Sequence, residues 1–376
     1  MNKVLYRRLF FVSIFGLLLT VSPAISETVL WTGDGDAIEW SDMFNWSDWN
    51  DGSPVWPFRL PNETDRVVIN NVGEIVHISE GYAALADTLE VSSGGSPIVL
   101  RLDDGSVTAT THISVSTNPD HLGHGIFYVE SAGTVDTPTI YIGCDAEGDM
   151  FVNGGTVNIS DVTLIGGNDP VDSVGKLVVD GGTFNTNKLN VCFMQDAIEK
   201  TSTITIKRGG VLNASTADDQ DYPVTLGPKG RAELYIETGG EFNCPPKPDG
   251  TGGVVLLGWN EDPDSLSPDK YGYIKIIDGT MYAGDVWVMN GQVDIVWGKL
   301  ILSGDKVETR VADMVAAGTL VADGGIGNIE AVYDVDLDQT VVTATGVTPQ
   351  GDISGDGSVD LTDFAMLAAE WLTGVE

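Results

Sequence analysis

The chain has 376 residues, with 19 basic and 55 acidic side chains and a formal net charge of −36 at pH 7. This length allows a large core and one small additional module. So much negative charge repels nucleic acid, anionic lipid and polyanionic sugars, and therefore argues against functions that bind these ligands without a bridging cation.

Residues 1–26 are predicted to be a signal peptide. Lys3, Arg7 and Arg8 precede the apolar run from Leu9 to Val21, which at about 13 residues is short for a membrane span. The small residues of Ala24-Ile25-Ser26 fit a signal peptidase, so cleavage is expected after Ser26. A retained membrane anchor is the alternative. No later stretch is apolar enough to span a bilayer, and the protein is expected to be secreted, outside the cell or at its surface.

Residues 27–70 form a segment rich in tryptophan. The run from Trp31 to Asp36, then Asn45-Trp46-Ser47, then Pro61 to Ile69 resembles the opening segment of many secreted bacterial repeat proteins, where it starts a β-solenoid. Bulky aromatic side chains can cover the open end of a solenoid, which is otherwise an exposed sheet edge. We therefore predict an end cap that contains Trp31, Trp40, Trp46, Trp49 and Trp56.

Residues 71–345 are predicted to be an all-β, right-handed parallel β-helix, that is, a β-solenoid. Short alternating strands end in a recurring turn whose second glycine falls at 133, 155, 182, 210, 240 and 279, with gaps of 22, 27, 28, 30 and 39 residues. Strands that repeat at such a period without helices are typical of a solenoid. The recurring glycine is expected where the backbone turns with positive φ. A pair of β-sandwiches is the alternative fold.

Residues 346–351 are a predicted linker, and residues 352–376 carry the most specific motif. The segment Asp352 to Asp363 has the spacing of a calcium-binding loop, with Gly357 at its sharp turn. The helix that follows, Leu361 to Leu372, is amphipathic. The alternative to a calcium-binding loop at Asp352 to Asp363 is a turn of Asp and Gly residues that binds no metal. The predicted Ca²⁺ ligands are Asp352, Ser354, Asp356, Ser358, Asp360 and Asp363.

Loop and helix together resemble one half of a type I dockerin, a small α module similar to an EF-hand. The resemblance implies calcium binding and docking onto a cohesin-like or surface protein, here through Phe364, Leu367 and Trp371. Such modules are commonly attached to proteins that act on polysaccharides. A complete dockerin has two loops, whereas the segment from Asp334 to Thr345 lacks the required glycine and is predicted to be a β-hairpin.

Catalytic residues are not identifiable from the sequence. The predicted fold resembles that of pectate lyases, but none of the lysines or arginines of the middle repeats stands in a recognisable lyase motif, and fold alone does not give function. Exposed aromatic side chains can stack on sugars. Trp259, Trp287, Trp297 and the N-terminal tryptophan cluster are candidates, with packing in the core or the end cap as the alternative. Cys144, Cys192 and Cys244 are expected to be buried and free, with one disulfide as the alternative.

The sequence therefore favours a non-catalytic structural, adhesive or glycan-binding protein, held in an extracellular assembly by its tail. A polysaccharide lyase or glycoside hydrolase of the β-helix fold with the same tail is the alternative.

Overall fold

The computed structural model describes residues 27–36, 38–48, 59–70, 75–79, 81–92, 97–116, 123–167, 173–193, 197–215, 222–258, 271–346 and 361–373. They form a β-solenoid, as predicted, and the structure gives it about eight turns. The predicted signal peptide, Trp49, Trp56, Trp259 and most of the predicted calcium loop lie outside these residues.

The described residues of the first half of the chain contain thirteen strands. They are β1 Thr28–Trp31, β2 Trp46–Asp48, β3 Arg66–Ile69, β4 Ile75–Ile78, β5 Ala83–Val91, β6 Ile98–Leu102, β7 Ser106–Val115, β8 His124–Glu130, β9 Thr134–Ile142, β10 Glu147–Asn153, β11 Thr156–Ile165, β12 Val174–Asp180 and β13 Thr183–Val191.

In the second half, the part that the structure describes contains fourteen strands and two α-helices. The strands are β14 Ala197–Lys207, β15 Val211–Ala214, β16 Val224–Leu226, β17 Gly230–Ile236, β18 Glu241–Cys244, β19 Val254–Leu257, β20 Tyr271–Ile276, β21 Thr280–Ala283, β22 Asp285–Val288, β23 Gly291–Ile295, β24 Lys299–Ser303, β25 Leu320–Ala322, β26 Asn328–Asp334 and β27 Gln339–Thr345. The helices are α1 Ala312–Ala316, which follows a π-helical turn at Val307–Val311, and α2 Leu361–Thr373.

Two parallel sheets run along the solenoid. The second sheet consists of ten strands, β4, β6, β8, β10, β12, β14, β17, β20, β23 and β25, and the first sheet contains the other seventeen. Strands of the first sheet bend where the register shifts, as in β11 between Ile159 and Val162. In later turns the strand is interrupted at the bend, so that two short strands replace one. For example, β15 and β16 both pair with the single strand β13 of the turn before. A turn thus has three straight runs but only two hydrogen-bonded sheets.

The core consists of stacked columns of apolar side chains. Every second residue of a strand faces inward, and the in-register pairing places equivalent residues of successive turns above one another. One column of the second sheet runs through Leu100, Phe127, Met150, Leu177, Ile204, Leu234, Ile274, Val293 and Leu320, all of which are buried. Each residue is therefore covered by the turn before and the turn after it.

The recurring glycine turn connects the second sheet to the first. In five of the six turns the first residue, and not the second, has the positive φ; Gly209 has φ 82° and Asp278 has φ 58°, whereas neither Ala132 nor Gly133 has a positive φ. The second glycine is required for a different reason, since a Cβ at Gly210 would lie 2.2 Å from the carbonyl oxygen of Val179. The expectation that the second glycine supplies the positive φ is therefore wrong, because close contact between adjacent turns leaves no room for a side chain there.

Both ends of the described solenoid are covered by antiparallel structure. At the N-terminal end, β2 pairs antiparallel with β1, and Trp31 and Trp40 pack edge-on against Trp46 at ring distances of 5.0 and 4.7 Å. All three rings are buried. At the other end, β27 pairs antiparallel with β24 and forms the predicted hairpin with β26. These last two strands close the stack instead of continuing it.

The three cysteines are buried and free. Burial raises the pKa of the Cys144 and Cys244 thiols far above the ordinary value, which keeps them protonated. They therefore act as small apolar side chains of the core.

Candidate functional site

An open pocket lies on the outer face of the second sheet, near its C-terminal end. Along β17 and β20 alternate residues are buried, so the residues between them point outward. The register places Arg231 beside Tyr271 and Glu233 beside Tyr273. These four side chains line a cavity of about 300 Å³, called the tyrosine pocket below.

The tyrosine pocket combines ring faces with fixed polar groups. The rings of Tyr271 and Tyr273 are 6.4 Å apart and nearly parallel, and the Arg231 guanidinium lies 5.8 Å from the centre of the Tyr271 ring. The Arg231 Nε atom is 3.3 Å from Glu233 Oε1, and Tyr235 donates a 2.6 Å hydrogen bond to Glu233 Oε2. Ring faces can stack on the C–H face of a sugar while oriented polar groups bind its hydroxyls.

The tyrosine hydroxyls of this surface are held protonated. Burial raises the pKa of Tyr235 to about 12, and its hydrogen bond to Glu233 adds to the effect. Burial also raises the pKa of Tyr273, whose hydroxyl donates to the buried carboxylate of Asp294 at 3.1 Å. Asp294 in turn accepts from the backbone N–H of Gly324 and lies 3.6 Å from the Lys275 ammonium. The hydroxyls of Tyr235 and Tyr273 are thus held in place as hydrogen-bond donors to Glu233 and Asp294.

The described lining of the tyrosine pocket contains one acid, and not the acid pair of a glycosidase. Hydrolysis of a glycosidic bond ordinarily uses two carboxyl groups at a defined separation. Glu233 is the single acid among the residues known to line the pocket, and both of its oxygens are engaged by Arg231 and Tyr235. The arrangement is suited to binding a polar ring with an apolar face.

A second aromatic group lies on the same outer face several turns earlier. Tyr128 and Phe151 stack at 4.8 Å with their ring planes 13° apart, and the Lys176 ammonium lies 5.1 Å from the Phe151 ring centre. Beside them, Asp149 is 3.2 Å from Nε2 of His124. Burial raises the pKa of Asp149, although His124 and Lys176 oppose the change. The sheet register places Tyr128, Phe151 and Tyr235 in one column along the solenoid.

Trp287, one of the predicted stacking residues, forms an exposed platform on the first sheet. Its ring is 37% exposed and packs edge-on against Tyr222 at 5.5 Å. The Arg310 guanidinium lies 5.5 Å from the ring centre and donates two hydrogen bonds to Asp285, at 3.0 and 3.2 Å. Asp285 also accepts from Trp287 Nε1 at 3.1 Å, which fixes the indole. Trp297 is also exposed, at 39%.

Only one of the six predicted calcium ligands lies in the described part of the chain. Asp363 is buried in the first turn of α2. Asp352, Ser354, Asp356, Ser358 and Asp360 lie outside the described residues, so their arrangement around a cation stays a prediction. Elsewhere, the described ranges contain no group of three or more His, Cys, Asp or Glu side chains able to hold a metal.

Helix α2 exposes part of its predicted docking face. Phe364 is 68% exposed and Leu367 is 53% exposed, whereas the side chain of Trp371 lies outside the described part. No helix among the described residues is both long and apolar enough to cross a bilayer.

The sequence does not single out the tyrosine pocket because its residues come from two different turns. Tyr271 and Tyr273 are separated from Arg231 and Glu233 by about 40 positions. The signal that could have found them is the alternation Arg-x-Glu-x-Tyr in β17 and Tyr-x-Tyr-x-Lys in β20, which places polar and aromatic residues on one face. The pairing register of the two strands was still needed to bring them together.

Comparison with known proteins does not assign this surface to a family. No protein-family model, no curated protein and no solved structure matches the chain.

Proposed function

We propose that this protein is a secreted, non-catalytic β-solenoid that binds a neutral glycan chain on the outer face of its second sheet. The observation that supports this most is the tyrosine pocket, in which the rings of Tyr271 and Tyr273 lie beside the paired side chains of Arg231 and Glu233. A neutral glycan fits because the high negative charge of the chain repels an anionic one.

The solenoid suits the binding of a chain more than that of a single sugar. In one outward-facing column, Tyr128 and Phe151 occupy two successive turns, Val178 and Thr205 the next two, and Tyr235 the fifth. An extended glycan could make several weak stacking contacts along such a column, and their energies would add through linked binding.

The proposed role of the tail is attachment. In this proposal residues 352–376 bind Ca²⁺ in a dockerin-like manner, and Phe364, Leu367 and Trp371 dock onto a cohesin-like or surface protein. The exposure of Phe364 and Leu367 supports this, because large apolar side chains at the surface of a short helix are typical of an interaction face.

Glycan binding can be tested with the purified chain that begins at Glu27 and a panel of soluble neutral polysaccharides, using affinity electrophoresis and calorimetry. Tyr271→Ala and Tyr273→Ala should each weaken binding about tenfold, equivalent to about 1.4 kcal/mol. Tyr282→Ala is the matched control, since Tyr282 faces outward on the first sheet and should leave affinity unchanged. Equal affinity of all three variants, or no binding of any polysaccharide, would contradict the proposal.

A polysaccharide-degrading enzyme is the second candidate, and Asp149 is the observation that favours it. A carboxyl group with a raised pKa beside a histidine and an aromatic ring has the properties of a general acid. Incubation with the same polysaccharides plus calcium should produce new reducing ends or unsaturated products if this candidate is correct. Their formation by the native chain but not by Asp149→Asn would overturn the non-catalytic proposal.

A further inference from the structure

The first described residue of the solenoid lies against a buried carboxylate. The backbone nitrogen of Glu27 is 3.4 Å from Asp65 Oδ1, and the Asp65 side chain is fully buried. Strand β1 begins at the next residue and pairs with β3, where the N–H of Arg66 donates to the carbonyl oxygen of Glu27 at 2.9 Å. The nitrogen is therefore positioned by regular sheet pairing.

Among the described residues, one guanidinium serves both the buried Asp65 carboxylate and the carboxylate of Glu27, whose side chain is 30% exposed. Arg59 pairs with Asp65 through both terminal nitrogens and also contacts Glu27 Oε2 at 3.0 Å. The backbone N–H of Asn62 donates to the second Asp65 oxygen at 2.9 Å. Two carboxylates thus share one guanidinium. Burial of a carboxylate is costly unless a positive charge and hydrogen bonds compensate it fully.

We propose that signal-peptide removal between Ser26 and Glu27 places a second positive charge beside the buried Asp65 carboxylate. Hydrolysis by a signal peptidase adds water across the peptide bond: Ser26 leaves with a carboxylate, and the nitrogen of Glu27 becomes an α-ammonium group. That group then forms an ion pair with Asp65, balancing the two carboxylates against two cations. This inference rests on the proposed secretion of the protein and does not depend on the proposed glycan binding.

The ion pair should be specific for this cleavage position. One extra residue would move the ammonium group about 3.8 Å along the chain and leave an uncharged amide beside Asp65. Other charged side chains on the neighbouring elements are Glu63, Arg66 and Asp87. Arg66 pairs with Glu90, and Asp87 accepts from the hydroxyls of Thr110 and Thr111. Arg66 and Asp87 therefore have partners of their own, and the backbone carbonyl of Glu63 accepts from Thr110 Oγ1 at 3.4 Å.

The pH dependence follows from the ammonium group. An unfolded α-amino group has a pKa of about 7.7 to 8.0, and pairing with Asp65 should raise it in the folded state. Stability from the pair should therefore be complete below about pH 7.7 and be lost as pH rises through the raised pKa.

The test compares the full chain beginning at Glu27 with one that carries a single methionine before Glu27. At pH 6.5 the chain beginning at Glu27 should melt about 2 °C higher, and the difference should vanish above about pH 9.5 or in the Asp65→Asn background. Intact mass of the chain exported by a bacterial host should show Glu27 as the first residue.

A second readout remains if Asp65→Asn does not fold. At pH 7 the α-amine of the chain beginning at Glu27 should react with acetic anhydride about tenfold more slowly than that of the extended chain, because a pKa higher by about one unit leaves tenfold less free amine. Equal melting temperatures and equal acetylation rates, or a mature chain that begins at another residue, would overturn the inference, whatever the result of the glycan assays.

Discussion

The side-chain amide of Asn185 donates a 2.8 Å hydrogen bond to Oδ1 of Asn158, which occupies the same position one turn earlier. The pattern continues in both directions: Asn213 donates to Asn185 and Asn243 donates to Asn213, at 2.8 and 3.0 Å. The first asparagine, Asn158, donates to Asp136 at 3.0 Å. Five turns are thus joined outside the core by one asparagine ladder, in addition to the sheet hydrogen bonds.

Breaking this ladder in its middle should lower stability. Asn185→Ala removes one hydrogen bond donated to Asn158 and one accepted from Asn213, which should reduce the free energy of unfolding by about 1 to 2 kcal/mol. The measurement is urea unfolding monitored by circular dichroism. Thr205→Ala on the outer face of the second sheet is the control and should change stability by less than about 0.5 kcal/mol. Similar losses for both variants would mean that the ladder contributes nothing measurable.

The close contact of Gly210 with the preceding turn should make this position intolerant of any side chain. Gly210→Ala places a methyl group 2.2 Å from the Val179 carbonyl oxygen and should cost about 3 kcal/mol or more in unfolding free energy. Gly304→Ala is the control, because its φ of 74° is strained for alanine but nothing lies within 4 Å of the new methyl group. It should cost only about 1 kcal/mol. Equal losses measured by urea unfolding would contradict the predicted steric effect of the contact at Gly210.

The raised pKa of Asp149 predicts a pH-dependent stability effect. Because burial favours the protonated form in the folded state, the ionised carboxylate opposes folding once pH exceeds the ordinary value near 3.8. Asp149→Asn should therefore raise the melting temperature at pH 7, and the gain should disappear as pH falls below about 4. Melting curves between pH 3 and pH 8 would measure this. A lower melting temperature at pH 7 would show that the contacts with His124 and Lys176 outweigh burial.

Calcium is expected to order the tail. Addition of Ca²⁺ should raise the helix signal in circular dichroism and protect residues 352–376 from protease, whereas Mg²⁺ should substitute poorly because it prefers a smaller octahedral shell. Asp352→Ala and Asp356→Ala should abolish both effects. Asp338→Ala, in the exposed turn of the β26–β27 hairpin, is a matched control that should leave them intact. An unchanged spectrum of the native chain across the titration would refute the predicted site.

The repeat could be predicted from the sequence because its cause is local. Because nearly every turn of the solenoid requires glycine at the same position, glycine recurs at regular intervals in the sequence. The alternation of apolar and polar residues, as around Ile204 and Ile274, indicates which side chains face the core. The buried cysteines and the C-terminal hairpin followed from the same patterns. The physical role of the second glycine could not be predicted from the sequence, because the carbonyl oxygen that excludes a side chain at Gly210 belongs to Val179, in another turn.

The sequence by itself therefore determined the solenoid, its turns and the helical segment at the C-terminus, since each depends on residues close together in the chain. Only the tertiary structure decided which surface is a candidate for binding. It buried Trp31, Trp40 and Trp46 in an end cap, left Trp287 exposed beside Arg310, and brought Tyr271 next to Arg231. Whether an aromatic ring packs or binds depends on the register between turns, and strand pairing sets that register through contacts about 20 to 40 residues apart.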